Sequence, residues 1–372
     1  MDIYTKSIFE VFLKAADTAV MQALQKTQVG PGLKLQDVAP PAAPSPGEVL
    51  LKVRYTGVCG TDLHIDEWTR SYHFLAPALP VTVGHEFSAE VQACGPDVHH
   101  LRPGMLVAVR PSAVCGHCPA CQQQHFDACT QRRGIGVLRD GGFASFTTAP
   151  ARNCLPVPDG VGADVAALAE PLTVSHEAVR TGGVQAGDRV LVLGPGNIGQ
   201  GIALFARAAG ASRVVIAGYQ DEARMAVLQK MGFDDLIDLA TQDMAHALAP
   251  YLTDGRFDVV IEATGAASVI GPALAALKTH GVLVITGIHA APVPIDLTAL
   301  VRNHQQLRGS YRAPEANWPL VLDYMRGHQD TLRHMITHTL PLSRAPEGFT
   351  LARNKQATKV MITPDEATAE TA

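Results

Sequence analysis

Arg189-Val190-Leu191-Val192-Leu193-Gly194-Pro195-Gly196-Asn197-Ile198-Gly199 is a short apolar run that breaks into a glycine turn. Ile198, Ile202, Phe205 and Ala209 then recur at helical spacing. A G-x-G-x-x-G turn is a weak signal alone and a strong one between a strand and a helix. Gly194 permits the tight turn, Gly196 lets the backbone approach a pyrophosphate, and Gly199 lets the helix pack close to the strand. Asn197 and Ile198 open that helix, whose N-terminus favours an anion. A dinucleotide site is therefore expected here.

Working outward, Val214-Val215-Ile216-Ala217 is a second apolar run, followed by a helical stretch with Met225, Leu228 and Met231. Leu236-Ile237-Asp238-Leu239, Phe257-Asp258-Val259-Val260-Ile261 and Val282-Leu283-Val284-Ile285-Thr286 repeat the strand signal. Continuous apolar strands alternating with helices predict a doubly wound parallel sheet. An acid for the adenosine ribose is expected at the end of the second strand. That place reads Ala217-Gly218-Tyr219-Gln220-Asp221, so Asp221 is the nearest carboxylate, displaced by two or three residues. Arg224 follows, placed to lie over adenine or to meet a 2′-phosphate. NAD is favoured over NADP.

Upstream, Glu48-Val49-Leu50-Leu51-Lys52-Val53 and the stretches 87–94 and 105–110 read as short strands bounded by Gly or Pro. That pattern suggests a barrel-like or Greek-key domain. After Gly309 the alternation stops; 318–325 reads as helix and 359–362 as a last strand. The fold class is thus α/β with two domains. A β-rich domain covers 21–177, the parallel sheet 178–311, and 312–372 returns to the first domain. A chain of 372 residues exceeds what one core usually accommodates. Residues 1–20 read as an N-terminal extension without a secretory h-region, ahead of a start-like Met21. The net charge of −5 offers no nucleic-acid surface, and no apolar run is long enough for a membrane span. A cytoplasmic setting is expected.

Four of the seven cysteines, Cys115, Cys118, Cys121 and Cys129, lie within fifteen residues in a C-x2-C-x2-C-x7-C pattern. An odd total and two-residue gaps favour metal over disulfides. Four thiolates suit tetrahedral zinc and close its coordination shell, so this lobe (112–132) is structural. An iron–sulfur cluster is the less favoured alternative.

A second constellation starts at Gly57-Val58-Cys59-Gly60-Thr61-Asp62-Leu63-His64 and continues at Gly84-His85-Glu86 and Leu168-Ala169-Glu170-Pro171-Leu172. Cys59, His85 and either Glu86 or Glu170 have the composition of an open, catalytic zinc site. Each also has a plain alternative: a core thiol, a hydrogen-bonded histidine, a carboxylate paired with arginine.

These motifs occur in the order found in the zinc-dependent medium-chain alcohol dehydrogenases, which the chain resembles over 21–364. It is most similar to the polyol (sorbitol-type) and threonine 3-dehydrogenase branch. The resemblance implies a GroES-like catalytic domain joined to a Rossmann domain. It implies that Cys59 and His85 bind catalytic zinc with Glu86 or Glu170, and that Asp62 orients His85. Thr61 would take the substrate's hydroxyl proton and His64 would pass it on. Lys359 matches a basic position that meets cofactor phosphate in some relatives, where Gly60 here cannot. The implied activity is oxidation of a secondary alcohol in a polyol, sugar alcohol or amino alcohol by a homodimer or homotetramer. The rivals are a same-fold aldehyde or ketone reductase and a non-catalytic nucleotide sensor. Trp68, Tyr72, Phe74 and Glu170 are candidates for substrate selection.

Overall fold

The computed structural model describes residues 20–364, so the expectations for 1–19 and for the tail beyond Pro364 lie outside the described residues. The chain forms two compact units. Among the described residues, one runs up to Glu170 and takes in His338–Arg353 and 359–364; the other comprises Pro171–Thr337 and Asn354–Thr358.

The main sheet of the first unit places Cys154–Pro156, Leu106–Val109, Glu86–Cys94, Glu48–Gly57 and Lys359–Thr363 side by side, and Phe146–Pro150 also pairs with Glu48–Gly57. Val49, Leu51, Val53, Phe87, Ala89, Val91, Val107 and Val109 form its core. The register matters for chemistry. Gly57 lies opposite Glu86 on one side and opposite Met361 on the other. A Cβ on Gly57 would meet Glu86 Oε2 at 2.6 Å and Lys359 Cδ at 3.0 Å. Only glycine lets those two side chains cross the strand end.

The second unit holds a parallel six-stranded sheet in the spatial order Leu236–Asp238, Arg213–Gly218, Arg189–Leu193, Phe257–Glu262, Leu277–Ile285, Gln306–Gly309. This is the doubly wound order, with the switch point beside Arg189–Leu193. Val190, Leu191, Val192 and Leu193 are all buried, because helices cover both faces and leave no polar side to alternate with.

The division of the chain differs from the sequence reading at both boundaries. Residues 312–337 stay with the second unit instead of returning to the first. The helix Asn317–Arg333 buries Trp318, Val321, Leu322 and Met325, and Tyr324 packs against Phe205 with ring centroids 4.8 Å apart. Asn317 Nδ2 donates to Glu177 at 2.9 Å. At the earlier boundary, Ser175 Oγ donates to Ile198 O at 2.9 Å, which ties 171–177 to the second unit. Among the described residues, no helix is long and apolar enough to cross a membrane.

Candidate active site and metal centres

The strand Glu48–Gly57 delivers the chain to Cys59, which is the N-cap of the helix Gly60–Glu67 in extended conformation (φ −111°, ψ 159°). Asp62, in the first turn of that helix, accepts the Cys59 N–H at 2.9 Å through Oδ2. Its Oδ1 faces His85 Nδ1 at 3.5 Å. One buried carboxylate thus braces both the loop that carries Cys59 and the ring of His85. Cys59, His85 and Glu86 present ligand atoms within 4.8 Å of one another.

The electrostatics of this group are those of a cation site. Burial pushes the Cys59 thiol up, Glu86 adds to that, and His85 and Lys359 oppose it. Burial resists charge on His85, yet Cys59 and Asp62 together carry its pKa well above the usual value. Apart from facing each other at 3.5 Å, His85 Nδ1 and Asp62 Oδ1 are buried with no hydrogen-bond partner. A soft thiolate, an imidazole braced by a carboxylate, and a second carboxylate make a donor set that fits zinc. A divalent ion among them would stabilise the thiolate and reverse the balance that now raises Cys59.

Glu170 stands in the first turn of the helix Ala169–Gly182 and is not part of that close group. It shares the field of the site: burial pushes its carboxyl up to about 7, with His85 and Lys359 pulling down and Glu86 and Asp62 pushing up. Geometry therefore groups Glu86 with Cys59 and His85, and leaves Glu170 as a nearby carboxyl held close to neutrality.

Lys359 does not occupy the place expected of it. It is 2% exposed, and its ammonium donates to Glu86 Oε2 at 2.5 Å and to Val58 O at 2.9 Å. The phosphate contact expected from the sequence is corrected here to a buried ion pair with Glu86. The reason is the strand register, which sets Lys359–Thr363 against the end of Glu48–Gly57 and turns Lys359 inward.

Thr61 and His64 lie on the same helix, and a residue with no role in the sequence reading of the relay connects them. Tyr72 donates its hydroxyl hydrogen to Thr61 Oγ1 at 3.0 Å. Its ring stacks on His64, with centroids 5.9 Å apart and planes 14° from parallel. The 3₁₀ segment Arg70–Ala78 carries Tyr72, and Phe74 lies against it at 5.9 Å. Trp68 ends the helix in the left-handed conformation (φ 56°), with the ammonium of the buried Lys26 5.1 Å from its ring centre. Lys26 also donates to Gly30 O, Gly32 O and Asp66 O, which pins the end of the helix.

The four lobe cysteines form a second group that could hold a metal ion. Cys115 and Cys121 sulfurs are 3.9 Å apart, Cys118 and Cys129 3.9 Å, and Cys129 and Cys115 3.7 Å. These are far too long for disulfides. They match the edge of about 3.8 Å that a tetrahedron has when its metal–sulfur distance is about 2.3 Å. The backbone N–H groups of Cys121 and Thr130 pull the Cys118 thiol down to about 6, while burial and the neighbouring thiols push Cys121 up to about 12, so the four sulfurs do not all become thiolates without a cation among them.

In the second unit, the turn after Arg189–Leu193 behaves as the sequence predicts. Gly194 has φ +109°, and a Cβ on Gly199 would lie 1.7 Å from Gly194 O. Those two glycines are demanded by the protein itself. Gly196 is different: a Cβ there would meet nothing within 4 Å. Its bareness leaves open space beside the N-terminus of the helix Asn197–Ala208, an environment that favours an anion. Asn197 Oδ1 is buried there without a partner. Gly199→Ala is expected to destabilise the protein by at least about 1–3 kcal/mol and to weaken dinucleotide binding more than tenfold. Thermal melting and a fluorescence titration with NADH and NADPH check this; wild-type values for both would contradict the packing argument.

At the adenosine end the expectation for Asp221 is corrected. Asp221 is 5% exposed, and Arg224 donates to its Oδ1 at 3.0 Å and Tyr219 N–H to its Oδ2 at 3.2 Å. Lys355 stands 3.7 Å from Oδ2. Arg224 Nε also holds Ala357 O at 3.0 Å. This pair therefore clamps a loop, and the Asp221 carboxylate is taken up by Arg224 and the Tyr219 N–H instead of standing open. Sequence reading also missed Glu262, fully buried at the end of Phe257–Glu262, whose Oε1 accepts from Thr264 N, Thr264 Oγ1 and Gly265 N. A carboxylate closing a continuous apolar strand was the available signal.

Comparison with known proteins agrees with this geometry. Residues 45–159 match the model of the alcohol dehydrogenase GroES-like domain, and residues 197–326 that of the zinc-binding dehydrogenase. A sorbitol dehydrogenase of Halalkalibacterium halodurans is 31% identical over 347 residues, 92% of this chain and 99% of that protein. An L-threonine 3-dehydrogenase of Rhizobium etli is 32% identical over 346 residues, 92% and 98% of the two chains. Among solved structures, a zinc-binding dehydrogenase of Sinorhizobium meliloti bound to NADP superposes with a TM-score of 0.84 at 29% identity, over 93% of this chain and 100% of that one. The 2R,3R-butanediol dehydrogenase of Bacillus subtilis gives 0.83 at 27% identity, over 93% and 100%.

Proposed function

The chain belongs to the zinc-binding alcohol dehydrogenase family, and from that premise we propose that it oxidises a secondary alcohol to the ketone. The substrate is small and polar: a polyol, a sugar alcohol or an amino alcohol. The observation that carries the reading is the grouping of Cys59, His85 and Glu86 within 4.8 Å of one another, two residues from the Thr61 hydroxyl.

Zinc held by Cys59, His85 and Glu86 or Glu170 supplies Lewis acidity that lowers the pKa of a substrate hydroxyl, and a dinucleotide on the Gly194–Gly199 turn supplies the hydride acceptor. The remaining work belongs to the chain's own side chains. Thr61 has one hydrogen and two lone pairs, so it can accept the substrate's hydrogen bond and pass its own proton on. His64 is exposed and can carry that proton to water. Asp62 holds the His85 ring in one orientation. Because Asp221 is clamped by Arg224, the proposal covers NAD and NADP alike.

The test is a screen of the zinc-loaded protein with polyols, aldonates and 3-hydroxy amino acids, run separately with NAD and NADP, together with a metal count. Alcohol-dependent cofactor reduction and about two zinc ions per chain are expected. One zinc per chain and no reduction with any alcohol would overturn the reading.

A further inference from the structure

The segment Arg70–Ala78 corresponds to no motif, yet it sends one side chain into the relay. Tyr72 is half-buried, its hydroxyl 3.0 Å from Thr61 Oγ1 and its ring stacked on His64. Hydrogen-bond accounting at Thr61 limits what each oxygen can do. A threonine hydroxyl offers one donor and two acceptor sites. With Tyr72 donating into one lone pair, the other accepts the reacting hydroxyl and the threonine hydrogen points onward. Tyr72 has then used its only hydrogen on Thr61. Toward a substrate it acts as an acceptor, at a point one hydrogen bond away from the oxygen that takes the reacting proton.

We propose that Tyr72 is a specificity-determining residue, whose phenol oxygen accepts a hydrogen bond from a donor on the carbon next to the reacting carbinol. A vicinal hydroxyl or a vicinal ammonium satisfies it; an ether oxygen or a methylene does not. Polyols and 3-hydroxy amino acids both carry such a donor, so one phenol accounts for both classes. The assignment rests on the dehydrogenase reading above for the position of the reacting hydroxyl. The ring has a separate duty: stacked on His64, it holds that imidazole beside the same helix, and this contact survives loss of the hydroxyl.

Tyr72→Phe keeps the ring and removes the phenol oxygen. Three probes differ only at the neighbouring group: 2,3-butanediol, 3-methoxy-2-butanol and 2-butanol. The zinc-loaded wild type is expected to favour the diol over both others by about tenfold or more in kcat/KM, and Tyr72→Phe to bring the three within about twofold, mainly through KM. Ligand-observed NMR titration of the same probes against zinc-loaded protein without dinucleotide gives a second readout, with the same loss of discrimination in binding. A wild type that turns over all three equally, or a variant that loses rate equally on all three, overturns the assignment. If neither protein turns over any probe but the binding difference appears and vanishes in Tyr72→Phe, the dehydrogenase reading fails and the Tyr72 subsite stands. If turnover occurs and binding shows no difference between the two proteins, the subsite fails and the dehydrogenase reading stands. Absence of both turnover and a binding difference overturns both.

Discussion

Cys59→Ser is expected to lower alcohol-dependent cofactor reduction by at least about a thousandfold while the protein stays folded. Serine is close in size to cysteine but a poor ligand for zinc at neutral pH, where it keeps its proton. Cys59 sits at a helix N-cap, partly exposed; its backbone N–H donates to the Asp62 carboxylate and its side chain faces the Asp62 N–H in a capping box, an acceptor role that a serine hydroxyl also fills. The helix start therefore survives the change. Metal content should fall from about two zinc ions per chain to about one, because the Cys115–Cys129 lobe keeps its own ion. A zinc-loaded variant with full activity would remove the basis for a catalytic metal at this place. A variant that lost both ions would show instead that the two centres are not independent.

Lys359→Met is expected to destabilise the metal-free protein by about 3–5 kcal/mol, since it leaves the carboxylate of Glu86 buried without its partner. The Lys359 and Glu86 side chains are 3% and 1% exposed, so water cannot replace the lost contact. Val58 O loses a donor at the same time. Combining Lys359→Met with Glu86→Gln should cost clearly less than the sum of the two single changes, because no uncompensated charge remains. Urea denaturation of the three variants measures this directly. A phosphate-gripping lysine would behave in the opposite way: dinucleotide binding would weaken and stability would hardly change. Wild-type stability in Lys359→Met would sink the buried-pair account.

Much of the fold was legible because its signals are local. The strand, glycine turn and helix at 189–208 lie within one stretch of chain, and Gly194 and Gly199 answer to steric demands a few residues away. The lobe cysteines are likewise a local pattern, and three of their six sulfur separations match the edge of a zinc tetrahedron. Cys59, His85 and Asp62 were legible through motif order, and the antiparallel register of Glu48–Gly57 with Glu86–Cys94 brings them together. The domain boundary at 312 was misread for a physical reason. Helical periodicity shows that Trp318, Val321, Leu322 and Met325 need a core, but it does not say which of two cores receives them.

The sequence by itself determined the two-unit α/β architecture, the strand, glycine turn and helix at 189–208, the two groups of residues that could hold a metal ion, and the family that the comparisons bear out. Tertiary structure alone decided the partners of charges. Lys359 meets Glu86 across 273 positions of chain, Arg224 closes on both Asp221 and Ala357, and Glu86 rather than Glu170 stands with Cys59 and His85. It also decided that Tyr72 reaches Thr61 from a segment without a motif. Local steric and periodic constraints are written in neighbouring residues. The direction in which a long polar side chain finds its counter-charge depends on strand register and burial, which exist only once the chain has folded.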